Sequence, residues 1–151
     1  MKDKFLEVSA IKDGTVIDHI PANSLFKVIS ILCLEKNEGM ITFGTNLQSK
    51  KLGKKAIIKL SDIFFKDKDI NRIALIAPEA KLNIIKDYKV IEKRLVELPD
   101  EIKGIAKCVN PLCITNHERI QTKFLVTDKK NITLRCRYCE KITDREQIEI
   151  I

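Results

Sequence analysis

The sequence has few aromatic residues and no long apolar run. Trp is absent, and aromatic residues make up 5% of the 151 positions, so a core must be built from Ile, Leu and Val. No stretch approaches the roughly 20 consecutive apolar residues that a membrane-spanning helix needs, so we expect no membrane partner. The first five residues, Met1 to Phe5, include no apolar run, so we expect no signal peptide and a cytoplasmic protein.

The sequence also lacks the motifs of common catalytic sites. It has only two His residues, no phosphate-binding P-loop, and no pair of carboxylates placed beside a His. Asp18 and His19 are adjacent and could act as a general base pair, but no nucleophile or second acid accompanies them. We therefore expect a binding protein rather than an enzyme.

Positive charge is what the sequence has in excess. Charged residues make up 32% of the chain, and the net charge is +7. Such a surplus suggests a polyanionic partner, namely nucleic acid, nucleotide phosphates or an acidic protein surface, although a solvated Lys-rich surface gives the same composition. The Lys residues are spread along the chain and form no block of five or six like charges, so a nucleic-acid-binding tail is not expected.

The five Cys residues are unevenly distributed, which indicates two domains. Cys33 stands alone, whereas the other four fall in the last third of the chain. The joint is predicted at Leu98-Pro99, because Pro99 fixes its own φ and disfavours helix at the residue before it. The predicted domains are therefore residues 1–98 and 99–151.

The first predicted domain alternates strands with helices. The segment from Phe5 to Ile20 predicts two short strands, broken by the turn signal Asp13-Gly14. The other predicted elements are a strand at 40–47, a polar loop at 48–55, a strand at 56–60, a helix capped at Asp67 or Asp69 and ending before Pro78, and strands at 80–85 and 88–96.

The first helix is predicted from apolar residues at helical spacing: Leu25, Val28, Ile29, Leu32 and Cys33. Cys33 lies on this stripe and is predicted to be a core residue rather than a ligand. Counting the opening pair of strands as one unit, the order β, α, β, β, α, β, β predicts an α+β fold of the ferredoxin-like type, an antiparallel sheet with two helices.

The second predicted domain contains a specific cysteine pattern. Cys108 and Cys113 form a C-x4-C pair, Cys136 and Cys139 form a C-x2-C pair, and 22 residues separate the pairs. Two thiol pairs joined by a strand segment are typical of a structural four-thiolate zinc site. Such a site stabilises a small domain whose own core would bury too little surface. We expect one zinc per chain in a small all-β, rubredoxin-like domain.

Several alternatives remain open from the residues alone. The four Cys could be buried free thiols or two disulfides, and iron could take the same ligands as zinc. A four-cysteine domain in a basic protein could also bind nucleic acid, although the aromatic residues that stack on bases are scarce here, being Phe124 and Tyr138.

The sequence resembles one known family, the regulatory chains of aspartate carbamoyltransferase. The likeness runs in order over nearly the whole chain and rests on these residues: the run from Gly14 to Ala22, Asn46-Leu47, Gly53-Lys54-Lys55, Ile58-Lys59, Ala77-Pro78, Asn83, Ile85, Lys86, Tyr88, Val90, Leu98-Pro99, the four-cysteine spacing and Tyr138 to Lys141. The run from Gly14 and the cysteine spacing are together highly specific.

The resemblance implies a non-catalytic regulatory subunit with an N-terminal allosteric domain and a C-terminal zinc domain. It implies that CTP and ATP act as effectors of a catalytic chain that works in pyrimidine biosynthesis. It also implies a homodimer of regulatory chains, within a heterododecamer of two catalytic trimers and three regulatory dimers. Nucleic acid is not an expected partner.

The resemblance also implies particular site residues. Eleven positions match nucleotide-contacting positions of the family: Ala10, Ile11, Val16, Asp18, His19, Lys59, Asn83, Ile85, Tyr88, Val90 and Lys93. Three positions, Asn110, Glu140 and Lys141, match the interface with the catalytic chain. Leu112 stands where the family has a polar residue in the loop that can face that chain.

Overall fold

The computed structural model describes residues 10–151, which form two compact units. One unit contains residues 10–66 together with Glu79–Val96, and the other contains Asp67–Pro78 together with Glu97–Ile151. The first part of the strand pair predicted from Phe5 lies outside the described residues. The single boundary predicted at Leu98-Pro99 remains a prediction.

The first unit is a five-stranded antiparallel sheet. Its strands are β1 (Gly14–Pro21), β2 (Ile41–Ser49), β3 (Gly53–Ser61), β4 (Lys81–Lys86) and β5 (Lys89–Leu95), in the order β2-β3-β1-β4-β5. Helix α1 (Leu25–Ile31) connects β1 to β2 after a short 3-10 turn at Ala22–Ser24. The order β2-β3-β1-β4 is that of a split βαβ arrangement, to which β5 adds an edge strand.

The two faces of this sheet differ because side chains alternate along each strand. One face carries Ile17, Ile58, Leu60 and Leu82, which are at most 1% exposed and form the core. Residues directly opposite each other in neighbouring strands share a face, so Val16, Lys59 and Asn83 lie together on the other face. This second face is where most of the polar side chains of the sheet are found.

Three register shifts interrupt the pairing of the sheet, and one of them lies between β4 and β5 at Ile84 and Ile85. The register of β1 against β3 shifts between Ile17 and Ile20, and the register of β2 against β3 shifts between Gly44 and Leu47. The bulges in β1 and β2 each hold one residue in the left-handed region, His19 at φ 59° and Asn46 at φ 59°. The β1 bulge takes His19 out of the alternation, so that Asp18 keeps the polar face and Ile20 is buried in the core.

The second unit contains helix α2 (Asp67–Ile76) and six short strands: β6 (Glu101–Lys103), β7 (Ala106–Lys107), β8 (Lys123–Asp128), β9 (Thr133–Cys136), β10 (Ile142–Thr143) and β11 (Glu149–Ile150). Four strands form an antiparallel sheet in the order β10-β9-β8-β6, and β11 pairs with β7. Its core is small and includes Ile102, Phe124, Ile132 and Leu134, each at most 1% exposed.

Helix α2 is tied to the end of the chain by two arginines. The Arg145 guanidinium donates a hydrogen bond to the Ile76 carbonyl at 2.9 Å, and Arg72 donates one to the Ile151 carbonyl at 3.1 Å. The first of these bonds satisfies a carbonyl at the C-terminus of the helix, where no intrahelical donor is available. By its contacts, helix α2 therefore belongs to the same unit as the cysteine-rich part of the chain.

The predicted fold class is confirmed, with three differences in detail. Helix α1 ends at Ile31, and Cys33 follows in the left-handed region at φ 53° with an exposed side chain, so its prediction as a core residue is wrong. The loop between β2 and β3 is shorter than predicted because both strands extend towards the turn at residues 50–52. The β4–β5 turn lies at Asp87-Tyr88, one residue later than predicted.

No helix among residues 10–151 is long and apolar enough to cross a membrane.

Candidate metal centre and sheet-face site

The four clustered cysteines reach one point from two loops. Cys108 follows β7 and Cys113 precedes a 3-10 turn, whereas Cys136 is the last residue of β9 and Cys139 lies in the turn after it. Each loop closes on itself through backbone hydrogen bonds. The Cys113 N–H donates to the Asn110 carbonyl and the Glu140 N–H donates to the Cys136 carbonyl, both at 3.0 Å.

The distances between the sulfur atoms fit a tetrahedral metal site. All four Sγ atoms lie within 4.8 Å of one another, with Cys108 to Cys139 at 3.6 Å and Cys113 to Cys136 at 3.7 Å. A tetrahedron with metal–sulfur bonds of about 2.3 Å has edges of about 3.8 Å, whereas a disulfide bond is about 2.05 Å long. The thiols are free, and their geometry fits four-thiolate coordination rather than two disulfides.

The pKa values of the cysteine thiols indicate why a bound cation would be needed to hold all four as thiolates. Burial raises the pKa of Cys108 to about 12 and also raises the pKa of Cys136. Partial burial likewise opposes ionisation of Cys139, but hydrogen bonds from the Lys141 backbone and the Asn110 side chain lower its pKa to about 7. A bound divalent ion would hold all four as thiolates and would leave no open coordination position, so the site is suited to structure rather than catalysis.

The three predicted partner-interface residues lie close to this centre. Asn110 is half-buried in the first cysteine loop, and Glu140 and Lys141 are exposed directly after Cys139. The Glu140 carboxylate pairs with the Arg135 guanidinium at 3.1 Å. A cavity of about 360 Å³ beside this pair is lined by Leu125, Arg135, Cys136, Arg137 and Glu140.

The predicted nucleotide residues are brought together on the polar face of the first unit's sheet. Strand register places Lys59, Val16, Asn83 and Lys93 in one row across β3, β1, β4 and β5. The next row on the same face contains Ile85 opposite Val90, and Asp18 lies one row away on the other side. Seven of the eleven positions therefore share one face by register alone: Val16, Asp18, Lys59, Asn83, Ile85, Val90 and Lys93.

A small apolar cluster lies at the centre of this face. Ile11, Val16 and Ile85 are each 7% exposed and pack together, with half-buried Ile57 against them. The cluster is separate from the main core because its members on β1 and β4 lie on the opposite face from Ile17 and Leu82. It lies on the same face of the sheet as Lys59 and Lys93.

The segment before β1 is held next to the β4–β5 turn. The Tyr88 N–H donates to the Lys12 carbonyl at 2.9 Å, and the Asp87 N–H donates to the Asp13 carboxylate at 3.1 Å. Ile11 packs with Val16 and Ile85 on the polar face, and these bonds hold the segment that contains Ala10 and Ile11 next to Tyr88, which is 67% exposed. The three positions are thereby joined to the other seven.

Asp18 is the electrostatic centre of the site. Its carboxylate accepts hydrogen bonds from the Lys55 ammonium at 2.9 Å and from the backbone N–H of His19 at 2.6 Å. Burial lowers the pKa of His19; the Asp18 charge opposes this shift, and Lys55, Lys81 and Lys51 add to it. His19, the last of the eleven positions, is thus a neutral imidazole at neutral pH, close to several ammonium groups.

Lys59 and Lys93 differ in their surroundings. Burial lowers the pKa of half-buried Lys59, and the Asp18 charge partly opposes that shift. Lys93 is exposed on the edge strand β5. A partly desolvated ammonium interacts more strongly with phosphate than an exposed one does, so Lys59 is the stronger candidate for an anion contact.

Two residues of the site were not among the predicted positions. Lys55 and Ile57 alternate with Lys59 along β3, so all three side chains lie on the polar face. The i, i+2, i+4 spacing was visible in the sequence. The sequence did not reveal the bulge in β1, because a bulge breaks the alternation of side chains. This bulge brings Asp18 against Lys55.

Comparisons with known proteins agree with this division of sites. A family model described as "Aspartate carbamoyltransferase regulatory chain, allosteric domain" matches residues 6–97. A second, described as the metal binding domain of the same regulatory chain, matches residues 100–149. The chain belongs to the family of aspartate carbamoyltransferase regulatory chains.

Individual relatives in this family are similar over almost their full length. The regulatory chain of Bacteroides fragilis is 58% identical over 97% of this chain and 95% of the relative. Those of Porphyromonas gingivalis and Pyrococcus abyssi are 50% and 53% identical, covering 100% and 95% of this chain and the same shares of the relatives.

Family membership confirms two predictions from the sequence. A regulatory chain is a non-catalytic subunit, as expected from the missing catalytic motifs. The matched metal-binding domain contains all four clustered cysteines, and the matched allosteric domain contains the whole sheet-face site.

Proposed function

We propose that this regulatory chain binds CTP and ATP on the polar face of its sheet, and that it docks on catalytic chains of aspartate carbamoyltransferase through a zinc-binding domain. In this way it controls pyrimidine biosynthesis in the cytoplasm. The observation that carries the proposal is the row formed by Lys59, Val16, Asn83 and Lys93 across four strands. Four adjacent strands span about 14 Å, and long Lys side chains at both ends of such a row can converge on one nucleotide.

The chemistry of the face suits a nucleoside triphosphate. The apolar cluster of Ile11, Val16 and Ile85 provides a surface for a base or ribose, and Asn83 offers both a hydrogen-bond donor and an acceptor. Lys59 and Lys93 supply positive charge for phosphates. Asp18 can accept hydrogen bonds from ribose hydroxyl groups, and backbone groups near Ala10, Ile11, Ile85 and Tyr88 can read base edges.

Binding of the two effectors can be tested directly. Calorimetric titration of the chain with CTP and with ATP should give saturable binding, and each nucleotide should displace the other because they share one face. Assays of the catalytic chain, alone and with the regulatory chain, should then reveal an effector response only in the complex. Independent binding of the two nucleotides without competition would contradict the single shared site.

We propose zinc as the metal of the second unit, with one ion per chain. Its ligands are Cys108, Cys113, Cys136 and Cys139, whose sulfur spacing fits tetrahedral thiolate coordination. The ion would supply no reaction chemistry. It would fix the two cysteine loops and, with them, the predicted interface residues Asn110, Glu140 and Lys141. We keep residues 1–98 and 99–151 as the proposed allosteric and zinc domains.

We also propose that regulatory chains dimerise through the β2 edge of the sheet. Phe26 and Phe43 are 68% and 46% exposed and meet edge to face, with ring centroids 6.1 Å apart. They line an apolar cavity of about 380 Å³ with Ile29, Leu34 and Ile41. The opposite edge strand, β5, carries a bulge and four charged residues, features that disfavour pairing between edges.

The dimer proposal has a simple test. Phe43→Asp should shift the chain from dimer to monomer in sedimentation, because it places a charge in the apolar contact. Phe64→Asp is the matched control, since Phe64 is 50% exposed but does not line this cavity. A Phe43→Asp chain that stays dimeric would rule out this edge. Mass measurement of the complex with catalytic chains tests the proposed heterododecamer of two catalytic trimers and three regulatory dimers.

A further inference from the structure

The loop between Cys108 and Cys113 presents an unusually exposed apolar side chain. Leu112 is 83% exposed, more than any other large hydrophobic residue in the part of the chain that the structure describes. It follows exposed Pro111 and lies two residues before Ile114, which is 42% exposed. Single exposed leucines are common on protein surfaces, so exposure alone would not identify a binding site.

Hydrogen bonds within the loop restrict the position of the exposed Leu112. Asn116 donates side-chain hydrogen bonds to the Cys108 carbonyl at 3.0 Å and to the Asn110 carbonyl at 2.7 Å. The Leu112 N–H donates to the Asn110 side chain at 3.0 Å, and both ends of the loop are metal-ligand cysteines. The loop therefore has little freedom to fold Leu112 back onto the protein. A side chain held in place in advance loses little entropy on binding.

Asn110, one of the three residues predicted to contact the partner, is engaged within its own domain. Its side-chain oxygen accepts from the Leu112 N–H, and its side chain also hydrogen-bonds the Cys139 sulfur. Its backbone N–H bonds the Cys108 sulfur, and its carbonyl accepts from Cys113 and Asn116. These bonds brace the loop, and two of them, to the Leu112 N–H and to the Cys139 sulfur, involve the Asn110 side chain itself.

We propose that Leu112 is the apolar anchor by which the second unit docks on the catalytic chain, and that Asn110 is the positioning residue that holds this anchor outward. The inference rests on the proposed docking function and deepens it. The occupant is the catalytic chain, which must present an apolar pocket at this point rather than an amide or a carboxylate. The Asn110–Cys139 hydrogen bond places the anchor beside the turn that carries Glu140 and Lys141, so all three belong to one surface.

The test compares docking with metal retention in the full-length chain. Leu112→Asn should weaken binding to the catalytic trimer of the same genome about 10-fold to 100-fold in calorimetry, since a buried Leu side chain is replaced by a polar one of similar size. Leu112→Met should stay within about threefold, because it keeps an apolar side chain of similar volume. Leu95→Asn is the matched control: Leu95 is 64% exposed on β5 and should leave docking unchanged.

Metal release separates the two roles. Transfer of zinc to an added chelator should be several times faster for Asn110→Ala than for the wild type, and unchanged for Leu112→Asn. A Leu112→Asn chain that binds the trimer as tightly as the wild type would overturn the anchor, and so would one that loses zinc faster. If Asn110→Ala releases zinc at the wild-type rate, its positioning role is wrong. If the wild-type chain itself does not bind the trimer, the proposed docking function fails and the anchor fails with it.

Discussion

Replacing Lys59 by Gln gives the most direct test of the sheet-face site. The Lys59 ammonium is half-buried opposite Val16, and burial lowers its pKa from the usual value of 10.5. Such an ammonium is already partly desolvated before a nucleotide arrives, so less hydration is lost when it meets a phosphate. A charge-assisted hydrogen bond of this kind contributes about 1.5–3 kcal/mol, which corresponds to a loss of affinity of about 10-fold to 150-fold.

The loss should be similar for CTP and ATP, because phosphate rather than base is contacted. Lys93→Gln should act in the same direction, since Lys93 ends the same row on β5. Lys54→Gln is the matched control: Lys54 is exposed on the same strand, and its side chain lies on the other side of the alternation from Lys59. Its effect should be less than about twofold, as expected for a solvated surface charge.

Calorimetry with both nucleotides measures these affinities, and zinc content serves as a check that the second unit is intact. If Lys59→Gln and Lys93→Gln both bind CTP and ATP as the wild type does, the proposed site is wrong. If Lys54→Gln weakens binding as much as Lys59→Gln, the effect comes from overall charge rather than from a contact on the polar face.

Two further predictions concern the metal and the histidine. Metal analysis should give about one zinc per chain, and Cys139→Ser should unfold the second unit, because structural zinc contributes about 10–16 kcal/mol in small peptides near neutral pH. Cys33→Ser should leave zinc content unchanged, since Cys33 is exposed and outside the cluster. Near-zero zinc in folded wild-type protein would refute the proposed zinc site. Burial lowers the pKa of His19 below 6.5, and nearby phosphate would raise it again, so CTP binding should take up a proton. CTP affinity should then rise more steeply from about pH 8 to about pH 6 in the wild type than in His19→Gln, and equal slopes in the two proteins would contradict a phosphate near His19.

The sequence predicted the elements of the sheet well because their patterns are local. Strands predicted at residues 56–60 and 80–85 correspond to β3 and β4, and helical spacing predicted α1. The end of α1 was less predictable, because apolar Leu32 and Cys33 continue the stripe while the backbone leaves the helix at Cys33 with a positive φ. A pattern of apolar residues does not record where backbone conformation changes.

The two sites differ in how far the sequence could define them. The four cysteines identify their own cluster, because the ligand chemistry and the spacing are both specific. The sheet-face site has no such signature, and its residues come from three separate segments of the chain. Strand register, and the bulge that places Asp18 beside Lys55, bring them together only in the folded protein.

The division of the chain suggests how an effector signal would pass between the units. By their contacts, residues 67–78 belong with the cysteine-rich part, so the chain crosses between the units at three places: after Lys66, after Pro78 and after Val96. Coupling between distant sites is a free energy of about 1–3 kcal/mol, and it requires an element whose position differs between two states. We propose the Leu98-Pro99 joint as one such element, and α2 with its two connections as another.

A Gly-Ser insertion after Leu98 should therefore reduce the effector response of the complex without abolishing it. Arg145→Ala, which removes the hydrogen bond to the Ile76 carbonyl at the end of α2, should reduce the remaining response when combined with the insertion. CTP affinity and zinc content should stay near wild type in both proteins, because neither change touches the row at Val16 or the four cysteines. Activity assays of the reconstituted complex with and without CTP or ATP measure the response. A double variant that keeps the full response would show that neither connection carries the signal, and an insertion that abolishes the response alone would show that the joint carries all of it.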